Sequence, residues 1–210
     1  MKKVKKIFAA AVVVACLSLV GAGSLAYFTA DETAHNVITS GNVDIELQEL
    51  RQNEDGTFEQ FEDVVGVMPG VSVSKIVQVK NTGFGDAYVR IAIDSSIKLA
   101  DGTFASAEDL EKYLHLDFNT EAWNLVDDWW YYVANDSFGH PGILSPTLTT
   151  EPLFENVTFD ASMPNEYMNS EATITVYVQA VQSAHNPDDP TLGPLAAAGW
   201  PVSADVADAE

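Results

Sequence analysis

Residues 71–93 read VSVSKIVQVKNTGFGDAYVRIAI. Val71, Val73, Lys75, Val77 and Val79 fall on one side at a period of two, all apolar but Lys75. Asn81-Thr82-Gly83-Phe84-Gly85-Asp86 is turn chemistry, and Ala87, Val89, Ile91 and Ile93 return on one face. Strict alternation of β-branched residues around Gly and Asn predicts two half-buried strands joined by a turn.

The same pattern spreads outward. Val43, Ile45 and Leu47 alternate with Asp44, Glu46 and Gln48, predicting a strand over 42–50. Asn53-Glu54-Asp55-Gly56 then turns the chain, and residues 57–65 can return as its hairpin partner. Residues 171–181 place Ala172, Ile174, Val176, Val178 and Ala180 on one face. Residues 129–133 and 157–159 are shorter strand candidates. One helix is expected: Ser106 as N-cap, Glu108 and Asp109 in the first turn, then Leu110, Tyr113 and Leu114 on one side. Many short strands separated by Gly, Pro and Asn predict an all-β chain, an antiparallel sandwich with one short helix.

Charge narrows the function classes. The 210 residues carry 31 acids against 10 bases, a formal net charge of −21. Nucleic-acid binding needs a basic face to neutralise phosphates, so that class is excluded. Electrostatic docking on an anionic membrane is disfavoured too. A hydrophobic content of 47% is enough to build a core. The single cysteine, Cys16, excludes a disulfide scaffold and a cysteine-based zinc site.

The N-terminus reads MKKVKK, then an apolar run from Ile7 to Val20, then GAGSLA. These are the parts of a secretory signal, and the run is short of the roughly 20 residues of a membrane span. Residues 1–26 are read as the signal peptide, with cleavage between Ala26 and Tyr27. Two alternatives stay open: an uncleaved anchor, and lipidation at Cys16 within a loose lipobox. Cleavage removes four bases and no acids, leaving 184 residues, a net charge of −25 and no cysteine.

Four stretches carry a family resemblance. GSLAYFTADETAHNVITSGNVDIEL at residues 23–47 has a small-residue cleavage site, an aromatic pair, a Thr/Asp/Glu-rich stretch and a Gly-x-Val-Asp-Ile strand. Residues 68–93, residues 157–186 and the closing Ala198-Gly199-Trp200-Pro201 fit as well. The chain resembles the TasA/camelysin family of Gram-positive surface and biofilm matrix proteins. The middle, 94–156, contributes nothing to the likeness.

That resemblance implies a jelly-roll-like β-sandwich, export through a SipW-type signal peptidase, and secretion to the cell surface or extracellular matrix of a Gram-positive bacterium. It also implies assembly with copies of itself into matrix fibres. In such fibres the N-terminal segment of one subunit completes a sheet of the next, which is β-augmentation. Residues 27–39 are the candidate donor strand here. Phe28, Ala30, Ala34 and Ile38 share one face, and the segment holds no Pro or Gly. An ordinary first strand or a frayed terminus is the competing reading. The expected organisation is signal 1–26, donor segment 27–39, sandwich domain 40–186 and tail 187–210.

Catalytic signals are weak. His35, His115, His140 and His185 form no H-E-x-x-H, and no G-x-S-x-G elbow or phosphate-binding Gly loop is present. His115 and Asp117 would share one side of a strand, a meagre seed for a metal; His140 precedes Pro141-Gly142 and marks a turn. No catalytic, cofactor-binding or metal residue is therefore expected. Calcium could meet oxygens at residues 53–55 or at Asp188-Asp189, but neither matches a calcium loop. The name camelysin keeps a surface metallopeptidase open as the enzyme alternative. Trp129-Trp130-Tyr131-Tyr132 keeps a carbohydrate-binding surface open, although alternation sends one pair of these rings into the core.

Overall fold

A computed structural model describes residues 36–40, 43–61, 69–168, 170–187 and 189–201. The strands are β1 (Asn36–Ser40), β2 (Ile45–Gln52), β3 (Phe58–Gln60), β4 (Ser72–Asn81) and β5 (Ala87–Lys98). A helix, α1 (Ala107–Tyr113), leads directly into β6 (Leu114–Leu116). β7 (Trp123–Val126), β8 (Trp129–Tyr132), β9 (Phe154–Phe159) and β10 (Glu171–Gln182) complete the set. Two five-stranded sheets result, in the orders β1-β10-β5-β8-β7 and β3-β2-β4-β9-β6. Every pairing is antiparallel except β1 on β10. Among the described residues the chain is an all-β sandwich with one short helix, as its alternation predicts.

The two strands of the opening stretch do not pair with each other. β4 lies between β2 and β9 in one sheet, while β5 lies between β10 and β8 in the other. The turn at 81–86 therefore crosses from sheet to sheet. Their alternating faces meet across the core: Val77, Val79, Ala87, Val89 and Ile91 are all fully buried. β10 adds Ala172, Ile174, Val176, Val178 and Ala180, each at most 4% exposed. Apolar faces of two sheets seal each other from water, and that burial is the main favourable term in folding.

The hairpin return expected over 57–65 is β3, and residues 62–65 of that stretch lie outside the described residues. β5 runs five residues beyond Ile93, because Ser95 to Lys98 still pair with Glu171 to Ile174. In α1, the Ser106 side chain accepts the Asp109 N–H at 3.1 Å, the expected cap.

Turns share a chemical device. In Asp55-Gly56-Thr57, Asp101-Gly102-Thr103 and Asp189-Pro190-Thr191, the aspartate Oδ1 accepts both the N–H and the hydroxyl of the threonine. Those hydrogen bonds hold all three carboxyls below their ordinary range. Two of them, Asp55 and Asp189, belong to the stretches considered for calcium; here both are turn acceptors.

The tail packs back onto the sandwich. Gly142 has φ +72°, and a Cβ there would collide with the Tyr132 carbonyl and the Pro194 ring. Only glycine lets Pro194 sit down at this point. Trp200 then reaches the outer face of the β5 sheet.

Candidate functional site

Four places could carry a function: an open strand edge, an aromatic cluster, an apolar cavity and the histidines.

β10 is twelve residues long, and β1 pairs with only its last part, Asn36 opposite Tyr177 through Ser40 opposite Val181. Among the described residues, no strand pairs with the same edge over residues 171–176. An unpaired edge displays N–H and C=O groups ready to receive another strand. Residues 36–39, the end of the segment predicted to be a donor, lie as a strand on β10 of their own chain. Ile38 stands opposite Gln179. Ala26, Tyr27, Phe28, Ala30 and Ala34 lie outside the described residues.

The aromatic run at 129–132 splits as alternation predicts. Tyr132 is buried against Trp123, ring centroids 5.1 Å apart, and Trp130 stacks on Phe118 at 4.5 Å. Trp129 and Tyr131 turn outward and enclose Arg90. The Arg90 guanidinium lies 4.2 Å from the Trp129 ring and 4.6 Å from that of Trp200. Arg90 also donates to Gln179 Oε1 at 2.6 and 3.0 Å and to the Tyr131 hydroxyl at 2.8 Å. A guanidinium suits such a place because it stacks and donates at once. Arg90 thus packs on a face of Trp129 and of Trp200.

The cavity measures about 370 Å³ and opens beside α1. Ile93, Leu110, Leu114, Leu116, Phe118 and Trp130 line it. Glu111, Asp127 and Asp128 stand at its rim. Asp127, in the two-residue turn between β7 and β8, has φ +52°, a conformation aspartate tolerates better than most residues.

The histidines sit apart. His115 Nε2 is 3.7 Å from Asp160, whose carboxyl is held low first by the Ser162 hydroxyl and N–H. His140 Nδ1 is 3.1 Å from Asp136 in a tight turn, where the His140 N–H is the main force lowering the Asp136 carboxyl. His140 does mark a turn, as its Pro-Gly neighbours suggest. Asp117 does not join His115. Its Oδ1 accepts the N–H groups of Glu155 and Asn156 at 2.9 and 2.7 Å, and its Oδ2 accepts the Asn156 side-chain amide at 2.8 Å.

Asp117 thereby ties β6 to β9 and makes stability depend on pH. Burial pushes its carboxyl up, but the Asn156 and Glu155 donors outweigh it and leave it below the ordinary value. A depressed carboxyl stabilises the fold above its unfolded value, near pH 4, and loses that contribution as pH falls through the folded one. Asp117→Asn should therefore cost about 1 kcal/mol at neutral pH, a figure kept small because the site is exposed. The gap to wild type should close as pH falls from about 5 to about 3. Urea midpoints across that range check it; a gap constant with pH would contradict the assignment.

Against this geometry stand the comparisons with known proteins. The pattern of the Camelysin metallo-endopeptidase family matches residues 2–131. The chain belongs to the camelysin family. The match starts in the basic N-terminal stretch, spans β1 to β7 and ends within β8. No curated protein matches the chain.

A metallo-endopeptidase requires a metal, and a catalytic zinc takes three protein ligands. Among the described residues of this camelysin-family chain, no three His, Cys, Asp or Glu side chains come close enough to hold one. His115 with Asp160 and His140 with Asp136 are separate pairs, and Asp160 and Asp136 also serve their own turns. The described donor set does not fit a catalytic metal, so no hydrolytic step is derived. No helix among the described residues is long and apolar enough to cross a membrane.

Proposed function

We propose that this camelysin-family protein is an exported structural subunit of extracellular fibres, built by strand donation from its N-terminal segment. The open edge of β10 carries the reading. β1 sets a parallel register in which Asn36 faces Tyr177. The same register continued upstream would bring Ala30 opposite Glu171 and His35 opposite Val176, along the part of the edge no described strand covers. In that register residues 27–39 would run along β10 from Glu171 to Ala180. A copy of the segment from a neighbouring chain could use the same ladder. Its backbone bonds would supply affinity, and alternate side chains such as Phe28, Ala30, Ala34 and Ile38 would supply specificity.

Export fits the same picture. The basic and apolar leader ends in Ser24-Leu25-Ala26, and the stretch lies inside the range matched by the family. Cleavage before Tyr27 would free the donor segment only after export. A strand donated onward by each subunit is a head-to-tail contact, and one that does not close yields a filament. With a net charge of −25, the exported chains repel one another, so moderate salt or calcium should favour growth.

Electron microscopy of the exported chain at moderate salt, with and without calcium, tests the proposal. Regular filaments are expected, and a chain lacking residues 27–39 should form none. Persistent monomers, or filaments unaffected by the deletion, would remove the reading.

A further inference from the structure

We infer that the cavity beside α1 binds a small organic cation, an ammonium carried on an apolar ring body. The inference stands apart from the fibre reading and does not need it.

The two sheets end on this side of the sandwich, one with β7 and the other with β6. Near those last strands the core does not close. Ile93, Leu110, Leu116, Phe118 and Trp130 pack against it yet stay partly exposed. Leu125, opposite Trp130 in the β7–β8 hairpin, is 50% exposed. Phe118 stacks on Trp130, so one wall is aromatic. The space of about 370 Å³ falls within the roughly 300–1,000 Å³ of small-molecule pockets.

The charges at its mouth have one sign. Every charged residue that lines the cavity is an acid: Glu111, Asp127 and Asp128. Each is placed by its element. Ala107, Leu110 and Glu111 share one face of α1 by their spacing of three and four. Asp127 and Asp128 stand side by side in the two-residue turn between β7 and β8. At its φ of +52°, position 127 would suit asparagine as well, without the charge. Among the described residues none of the three acids is in an ion pair. The neighbouring bases point elsewhere. Lys112 lies over the Tyr113 ring, 4.8 Å from its centroid, and Lys98 falls on the opposite face of β5 from Ile93 and Ser95.

Acids are plentiful on this chain, so the rim alone would select nothing. Its union with an apolar interior does. Low-dielectric walls concentrate the field of the carboxylates at the mouth. An apolar anion is repelled there, and a neutral apolar molecule leaves the carboxylates uncompensated. A bare metal ion gains nothing from the leucines. An ammonium on an apolar body meets both demands. The body buries itself against Leu110, Leu114 and Trp130, and the cation reaches the carboxylates. The indole of Trp130 attracts positive charge as well.

Three indole ligands of similar shape test this by calorimetry on the exported chain: tryptamine, tryptophol and indole-3-propionate. Tryptamine should bind roughly tenfold or more tighter than tryptophol, and indole-3-propionate should not bind. Asp127→Asn with Asp128→Asn should bring tryptamine down to the affinity of tryptophol and leave tryptophol unchanged. Leu125→Ser should weaken both ligands alike. Glu54→Gln, in the β2–β3 turn, should change neither, which separates the rim from the overall charge. All three ligands binding alike, or none binding, overturns the inference. So does tryptamine binding that needs residues 27–39 deleted, because the cavity would then belong to the chain's own N-terminal segment. None of these outcomes depends on filaments forming, so this inference and the fibre reading fail separately.

Discussion

Glu49→Ala is expected to lower the unfolding free energy by about 3–5 kcal/mol, and Lys75→Ala by a similar amount. Lys75 interrupts the apolar face of β4, and Glu49 follows Val43, Ile45 and Leu47 on the apolar side of β2. The two exceptions form one ion pair, Nζ to Oε1 at 2.7 Å, with side chains 3% and 4% exposed. The Phe61 ring closes over the ammonium at 4.1 Å from its centroid. Each charge has given up its hydration and is compensated by the other. Deleting either leaves the survivor buried without that partner, so each single variant suffers more than the pair itself contributes. Glu49→Leu combined with Lys75→Met should recover most of the loss, because the desolvation cost disappears from both sides. Urea denaturation of the two singles and the double decides it. Singles within about 1 kcal/mol of wild type would show that the pair is solvated rather than buried.

That pair illustrates what a sequence shows and what it hides. Lys75 stands out as an anomaly in a valine face, but its partner lies 26 residues away on another strand and the spacing does not name it. Long alternating stretches are legible: β4, β5 and β10 bury the faces their period predicts. The order of strands is not, because it depends on contacts far apart in the chain. β7 escapes notice because Asn124, Leu125 and Val126 are all exposed, so burial imposes no alternation on it. β6 escapes because it follows α1 without a break. Alternation sends one pair of the rings at 129–132 outward, but which pair, and for what reason, is not legible in it. Arg90 is 39 and 41 residues from Trp129 and Tyr131 in the chain, and Trp200 comes from a tail with no pattern of its own. The cavity draws on β5, α1, β6 and the β7–β8 hairpin together, so no single stretch announces it.

Asn81→Asp is expected to be at least as damaging as Asn81→Ala, which should cost about 1–3 kcal/mol. Asn81 is fully buried at the point where the chain crosses between sheets. Its side-chain nitrogen donates to the Gly85 and Leu144 carbonyls, and its oxygen accepts the Gly83 N–H. Its backbone completes the joint: its N–H donates to Leu148, and its carbonyl accepts from Thr147. Alanine would remove all three bonds; the Gly83 N–H keeps the Asp44 carbonyl and the Leu144 carbonyl keeps the Ala87 N–H, so the Gly85 carbonyl loses most. Aspartate keeps the acceptor for Gly83 but replaces the donor with an oxygen facing two carbonyls, and it adds a buried negative charge. The near-isosteric change therefore tests the chemistry of the site rather than its volume. If Asn81→Asp at neutral pH were better than Asn81→Ala by about 1 kcal/mol or more, the amide would not be acting as a donor. The same joint holds the turn that carries Phe84 into solvent. Gly83 constrains it further, since a Cβ there would lie 2.8 Å from the Asp44 nitrogen. The turn tolerates few changes at its base while leaving its tip exposed.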